Sequence, residues 1–180
     1  MKQVNIPFEA YPLYIAKFKE EPEECIVNLI PPKKGIIVAP SITSSFNKEA
    51  VEQIPDCKVI YPHHQGGTML IFRDNITLFQ FTRNPGSDMK PPLVSFLRSK
   101  ELSAEANNND VLVDGFKVCG DMTRYLPEIG MYFYGTTISI NVDVDMINKV
   151  CTKKMVKVPK GLSDYGITRA DVLNALRINE

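Results

Sequence analysis

The 180-residue chain carries 21 basic and 21 acidic side chains, a formal net charge of zero, and 44% hydrophobic residues. That length suits one domain with a substantial core, and the charge balance, with no long run of one sign, excludes the electrostatic footprint of a nucleic-acid or membrane-surface binder. Cys25, Cys57, Cys119 and Cys151 are widely separated and form no CxxC pair, and the two histidines sit side by side, so no zinc site is indicated. Free thiols in a reducing cytoplasm are the expectation, and neither a secretory leader nor an apolar run of membrane-spanning length is read in the sequence.

In chain order, β-branched and aromatic content predicts strands over residues 11–18 (YPLYIAKF) and 35–40 (GIIVAP). Between them, EEPEECIVNLIPPKKG is expected to hold one short helix, closed by Pro31-Pro32. A helical turn or two over 47–54 (NKEAVEQI) leads to a strand over 57–62 (CKVIYP), which delivers the chain to HHQGGTMLIFRDNITLFQF, 63–81. Gly66 and Gly67 can take positive φ and let a ligand or a strand approach bare backbone. The two apolar runs that follow meet at Arg73-Asp74-Asn75 and read as a hairpin.

After a loop rich in turn formers (82–92), Leu93, Val94, Phe96 and Leu97 have the spacing of one helical face. ANNND is a polar turn, and DVLVDGFKVCG (110–120) is a second hairpin turning on Asp114-Gly115. MYFYGTTISINVDV (131–144) predicts a long, half-buried strand, with Thr136, Ile138, Ile140 and Val142 on one face and Thr137, Ser139 and Asn141 on the other. A short helix over 145–151 and the connector TKKMVKVPKGLSDYG precede a last helix, where Thr168 and Asp171 approximate a capping box. The sum is a single α+β domain over residues 1–180, a mixed and mainly antiparallel sheet with helices packed on it.

The order of these pieces resembles the catalytic domain of lipoate-protein ligases and, more distantly, of biotin-protein ligases and octanoyltransferases, from about residue 35 to about residue 176. DGFKVCG is close to the family pattern DGxKISG and puts Lys117 at the family's lysine; YGTTISINVDVD and YGITRADVLNAL resemble the strand and terminal segment that follow. HHQGGTMLIFRDN stands where the family has a loop of arginines and glycines: the glycines match and the arginines do not. Asp121-Met122 also departs from the small residues that follow the family's "SG".

The resemblance implies that a small carboxylic acid such as lipoate or octanoate attacks the α-phosphate of ATP, in the presence of Mg2+, and that the resulting acyl-adenylate is opened by the lysine of an acceptor-domain protein. Charge develops on phosphate and carbonyl oxygens, which calls for a fixed cation in a site shielded from water, the role implied for Lys117. His64, Gly66, Gly67, Thr68, Asn47, Asp110 and Gly120 are the implied substrate-binding positions, and Asp110 orders a sugar, a metal or the lysine itself. No side chain is assigned as a resident metal ligand. Since the chain reaches its last residues soon after the family-like terminal helix, any lid or acceptor-docking domain is expected to come from elsewhere.

Regular alternation along the second hairpin arm places Lys117 and Cys119 on one face, with Phe116 and Val118 on the other. An ATP-independent acyltransferase of the octanoyltransferase type would then use Cys119 as a thiolate nucleophile beside Lys117; a buried structural thiol is the competing reading. The third possibility is a catalytically degenerate binding or regulatory module on the same fold.

Overall fold

The computed structural model describes residues 1–33, 35–41, 44–61 and 68–179. Its strands are β1 (Lys2–Pro7), β2 (Cys25–Ile30), β3 (Ile37–Ala39), β4 (Lys58–Val59), β5 (Met69–Ile71), β6 (Ile76–Thr82), β7 (Ala104–Asn107), β8 (Asp110–Val113), β9 (Phe116–Leu126) and β10 (Met131–Ile138). The helices are α1 (Tyr11–Phe18), α2 (Lys48–Glu52), α3 (Lys90–Ser99), α4 (Val144–Val150) and α5 (Arg169–Leu176). Among the described residues the strands form a seven-stranded sheet, ordered β1-β2-β6-β10-β9-β8-β7, and a three-stranded sheet, β4-β3-β5. In the large sheet β1 and β2 are parallel and the other neighbours antiparallel, which is the α+β architecture expected.

Each face of the large sheet builds its own core. On one, Leu93 and Leu97 of α3 and Val172, Leu173 and Leu176 of α5 cover Ile76, Leu78, Val111, Val113 and Ile138. On the other, Phe8 and α1 meet Val27, Leu29, Phe79, Phe81 and Phe133, with Ile37 and Ile71 of the small sheet. The Thr168–Asp171 capping box is formed and starts α5. Asp114 and Gly115 both have positive φ, 51° and 81°, as a two-residue turn between twisted strands requires.

Several local expectations are corrected. Residues 11–18 are helix, not strand: Pro12 sits in the first turn, where its missing N–H costs nothing, and Tyr11 and Phe18, two turns apart, are buried with Tyr14 and Ile15 packed beside them. Conversely, Cys25–Ile30 is a strand where a helix was expected. Flanked by β1 and β6, it is buried on both faces, so it presents an apolar run with no alternation to read.

The two runs around Arg73-Asp74-Asn75 do not form a hairpin. Met69–Ile71 pairs with β3 in the small sheet, whereas β6 lies in the large one, so the turn carries the chain between sheets. Asn75 fixes that crossing: its buried Oδ1 accepts from the backbone N–H of Ile140, at 2.9 Å, and of Asn141, at 3.1 Å. The same two bonds take the chain out of β10, which ends at Ile138 rather than 144 although the inward and outward alternation continues. The polar turn before β8 is confined to residues 108–109, and Ala104–Asn107 is an edge strand paired with β8.

Candidate active site

The centre of interest lies where β8 and β9 meet on the face opposite α3 and α5. Leu112 of β8 pairs with Lys117 of β9, but the next residue back, Val111, pairs with Cys119, so Val118 is an extra residue in β9, a β-bulge. The bulge shifts the alternation. Val118 and Cys119 both enter the core under α3 and α5, and Lys117 shares its face with Gly120 instead. This corrects the expectation that Lys117 and Cys119 lie side by side. The Cys119 thiol is fully buried, and burial pushes its pKa up, the reverse of what a thiolate nucleophile needs.

Gly120 gives Lys117 its path. A Cβ at that position would lie 3.2 Å from both Cε and Nζ of Lys117, so the side chain runs flat over bare backbone. It reaches Asp110, the β8 residue paired with Gly120, whose Oδ1 is 2.7 Å from Lys117 Nζ. The other carboxylate oxygen, Oδ2, lies 2.7 Å from Lys157 Nζ. Lys157 belongs to the segment read as a connector. Where β10 leaves β9, that segment takes its place: the Lys117 N–H donates to the Val158 carbonyl, at 3.0 Å, and the Lys160 N–H donates to the Lys117 carbonyl, at 2.9 Å.

Partial burial alone would raise the pKa of Asp110, but hydrogen bonds and charge from Lys117 and Lys157 outweigh it and hold the carboxyl below its ordinary value of 3.8. A carboxyl held low stabilises the fold at neutral pH, and that contribution disappears as the pH falls through and below 3.8. Thermal melts between about pH 5 and pH 2 should therefore show a shallower acid loss in Asp110→Asn than in the wild type.

These groups open into a cavity of about 430 Å³ that Lys117, Lys157, Lys153 and Asp110 line together with Thr68 and Ser44. Three ammonium groups against one carboxylate give the cavity a net positive charge, although Ile147, Met155, Val156 and Pro159 make much of its wall apolar. Both oxygens of Asp110 are taken by lysines, and among the described residues no three His, Cys, Asp or Glu side chains gather into an all-protein metal cage; a magnesium ion that arrives with ATP is held largely by the phosphates. Asp110 is ion-paired to both Lys117 and Lys157.

A second cavity of about 180 Å³, with a largely apolar wall, lies farther along the same sheet face, between α1 and the sheet, lined by Tyr11, Phe18, Phe79, Phe133, Met69 and Met122, with the charged side chains of Lys19, Arg124 and Glu128 also on its lining. Its neighbour toward Lys117 is the strip where Thr137 pairs with Gly120 and Gly135 with Met122. Met69, in the apolar cavity, follows Thr68, in the cationic one, and Thr137 Oγ1 is 3.7 Å from the Met69 sulfur. An apolar pocket and a cationic pocket on one floor suit a small acid with an apolar chain.

Of the positions expected from sequence, Lys117, Asp110, Gly120 and Thr68 come together, with Thr68 Oγ1 3.1 Å from Ser44 Oγ. Asn47 does not join them; its carboxamide oxygen caps α2, accepting from the Ala50 N–H at 3.1 Å. His64, Gly66 and Gly67 lie outside the described residues. Sequence reasoning missed Lys153, Lys157 and Ser44, and missed that Cys151 is the thiol that faces the cavity. The available signal was the lysine density of KKMVKVPK, which carries no acidic residue.

No protein-family model matches the sequence, and no curated protein does. Solved structures do. P. falciparum LipL1 in complex with lipoate superposes with a TM-score of 0.75 at 17% identity, covering 98% of this chain, which spans only 59% of the length of that one. A bi-partite lipoate protein ligase from Thermoplasma acidophilum, studied with its E2 lipoyl domain, gives a TM-score of 0.74 at 14% identity and covers 98% of this chain and 80% of its own. Lipoate-protein ligase A bound with ATP gives 0.74 at 14%, covering 97% and 81%. A biotin protein ligase from Aquifex aeolicus in complex with biotin is more distant, at 0.53 and 12%, covering 98% and 66%. No helix among the described residues is long and apolar enough to cross a membrane. With its seven-stranded sheet and second small sheet, the chain has the fold of the lipoate-protein and biotin-protein ligases.

Proposed function

We propose that the protein is an ATP-dependent acyl ligase of the lipoate-ligase type, which activates a small carboxylic acid such as lipoate or octanoate as its acyl-adenylate and passes the acyl group to a lysine of an acceptor domain. The observation that carries this reading is the pair of cavities on one sheet face: apolar between α1 and the sheet, cationic around Lys117. The acyl chain occupies the first, and the carboxylate with the triphosphate occupies the second, beside Lys117 and Lys153, while Lys157 stays on Asp110. As the carboxylate oxygen attacks the α-phosphorus and pyrophosphate departs, negative charge builds on the phosphoryl oxygens, and a prepositioned ammonium group stabilises it without reorganisation. The lysines stand in for the guanidinium groups that the family places in the preceding loop, as point charges rather than bidentate clamps. The ATP-bound and lipoate-bound neighbours support the choice of substrates, and the lipoyl domain studied with the T. acidophilum ligase supports the acceptor.

A transferase on this frame would draw on Cys151 rather than Cys119, because Cys151 lines the cavity of Lys117. Burial raises the pKa of that thiol, which favours the ligase reading. Mass spectrometry of the protein incubated with ATP, Mg2+ and, separately, lipoate, octanoate and biotin tests both. The ligase reading expects an acyl-adenylate with one of the acids and no thioester on Cys151 when an octanoyl-carrier donor is supplied without ATP. A thioester without adenylate would replace it with the transferase.

A further inference from the structure

Lys157 lies outside the residues expected from the sequence, yet it makes half of the ion-pair set around Asp110. The three side chains form a chain of charges, Lys117 to Oδ1 and Lys157 to Oδ2, each at 2.7 Å. Lys157 is also the more enclosed of the two lysines, its side chain 28% exposed against 38% for Lys117. Both hang from one backbone frame, since the Lys117 N–H and carbonyl bond to Val158 and Lys160 on either side of Pro159. Main-chain hydrogen bonds therefore fix the backbone from which the two side chains start, and the flexible stems leave the ammonium groups free to move.

We infer that Lys157 is a positioning residue that keeps Asp110 neutralised so that Lys117 can turn from Asp110 to an anionic substrate. This rests on the reading of Lys117 as the cation at the reacting oxygens. With Lys117 as its single partner, Asp110 would hold that ammonium group and repel any incoming phosphate or carboxylate. With Lys157 on Oδ2, the carboxylate keeps a counter-ion after Lys117 leaves, and the cavity presents Lys117 and Lys153 to the anion. Gly120 makes the movement available, because the floor beneath Lys117 Cε and Nζ carries no side chain. The four-carbon stem of lysine supplies the reach.

Inorganic pyrophosphate is a suitable probe, since it reports on the cationic cavity without any acid or turnover. Calorimetric titration of the wild type, Lys157→Ala, Asp110→Asn, the double variant and Lys157→Arg separates the possibilities, with thermal melts to show that each is folded. Loss of Lys157 should weaken pyrophosphate binding by about tenfold or more. Adding Asp110→Asn to Lys157→Ala should restore it to within about threefold of the wild type, because there is no longer a charge to neutralise. Lys157→Arg should stay close to the wild type. If the double variant remains as weak as Lys157→Ala, the lysine acts on the anion directly and the positioning role is wrong. Unchanged binding in Lys157→Ala, or no binding by the wild type at millimolar pyrophosphate, would also overturn it. Failure of the ligase reading looks different: pyrophosphate binds with the expected pattern, but no acid yields an adenylate.

Discussion

Lys117→Ala is expected to slow acyl-adenylate formation by about 100- to 1,000-fold, the usual effect of removing one prepositioned charge from a reacting oxyanion. The loss should fall mainly on kcat, because the charge that Lys117 meets is larger in the transition state than in either bound substrate. The fold should persist. The Lys117 side chain is 38% exposed, its main-chain bonds to Val158 and Lys160 do not involve the ammonium group, and Asp110 retains Lys157. Single-turnover formation of the adenylate, followed by mass spectrometry, measures the rate directly. A variant as fast as the wild type would remove Lys117 from the chemistry.

The largest stability effect is expected on the opposite face of the sheet. Asp121 is where the chain departs from the small residues of the family pattern, and its carboxylate is fully enclosed. Oδ2 lies 2.7 Å from Lys90 Nζ, and Oδ1 accepts from Thr136 Oγ1 at 2.8 Å. Lys90, at the start of α3, is itself only 12% exposed; burial pulls its pKa down, but the hydrogen bond and charge of Asp121, with Asp88 behind, leave it raised. Lys90→Met strands a buried carboxylate and should cost about 3–5 kcal/mol of stability in urea unfolding, the range found when one partner of a buried pair is removed. Replacing both, as Lys90→Met with Asp121→Leu, should recover most of the loss, because no charge is then left without a counter-ion. An unchanged midpoint in Lys90→Met would show that the pair contributes nothing to holding α3 on the sheet.

The parts of the molecule that were legible in the sequence are those whose signal is local. The Asp114-Gly115 turn, the Thr168–Asp171 capping box and the apolar face of α3 each follow from residues within a few positions of one another, and each is present. The likeness of DGFKVCG to the family pattern DGxKISG singled out Lys117, which lies with Asp110, Gly120 and Thr68 at the cationic cavity. What failed depends on long-range pairing. Cys25–Ile30 shows no period because β1 and β6 bury both of its faces, and Tyr11–Phe18 reads as strand by composition although Pro12 and the placement of Tyr11 and Phe18 make it a helix. Met69–Ile71 and Ile76–Thr82 look like the arms of a hairpin until the small sheet claims the first.

At the site the decisive feature is one inserted residue. The bulge at Val118 exchanges Cys119 for Gly120 beneath Lys117, and nothing in the alternation of DGFKVCG announces it. Lys157 was equally hidden, because its partner Asp110 lies 47 residues earlier and its register is set by a bridge between Pro159 and Lys117. That bridge is also what makes the two lysines act on one carboxylate. A reading by motif alone stops at Lys117.

The most direct test of the central claim is the acid-dependent exchange of radiolabelled pyrophosphate into ATP, measured with lipoate, octanoate and biotin in turn. The forward step makes an acyl-adenylate and pyrophosphate, so its reversal returns label to ATP only when a suitable acid is present. The pair of cavities predicts exchange with lipoate or octanoate and its loss in Lys117→Ala. No exchange with any acid, in a wild-type protein that is folded and binds pyrophosphate, would contradict adenylate chemistry at this site.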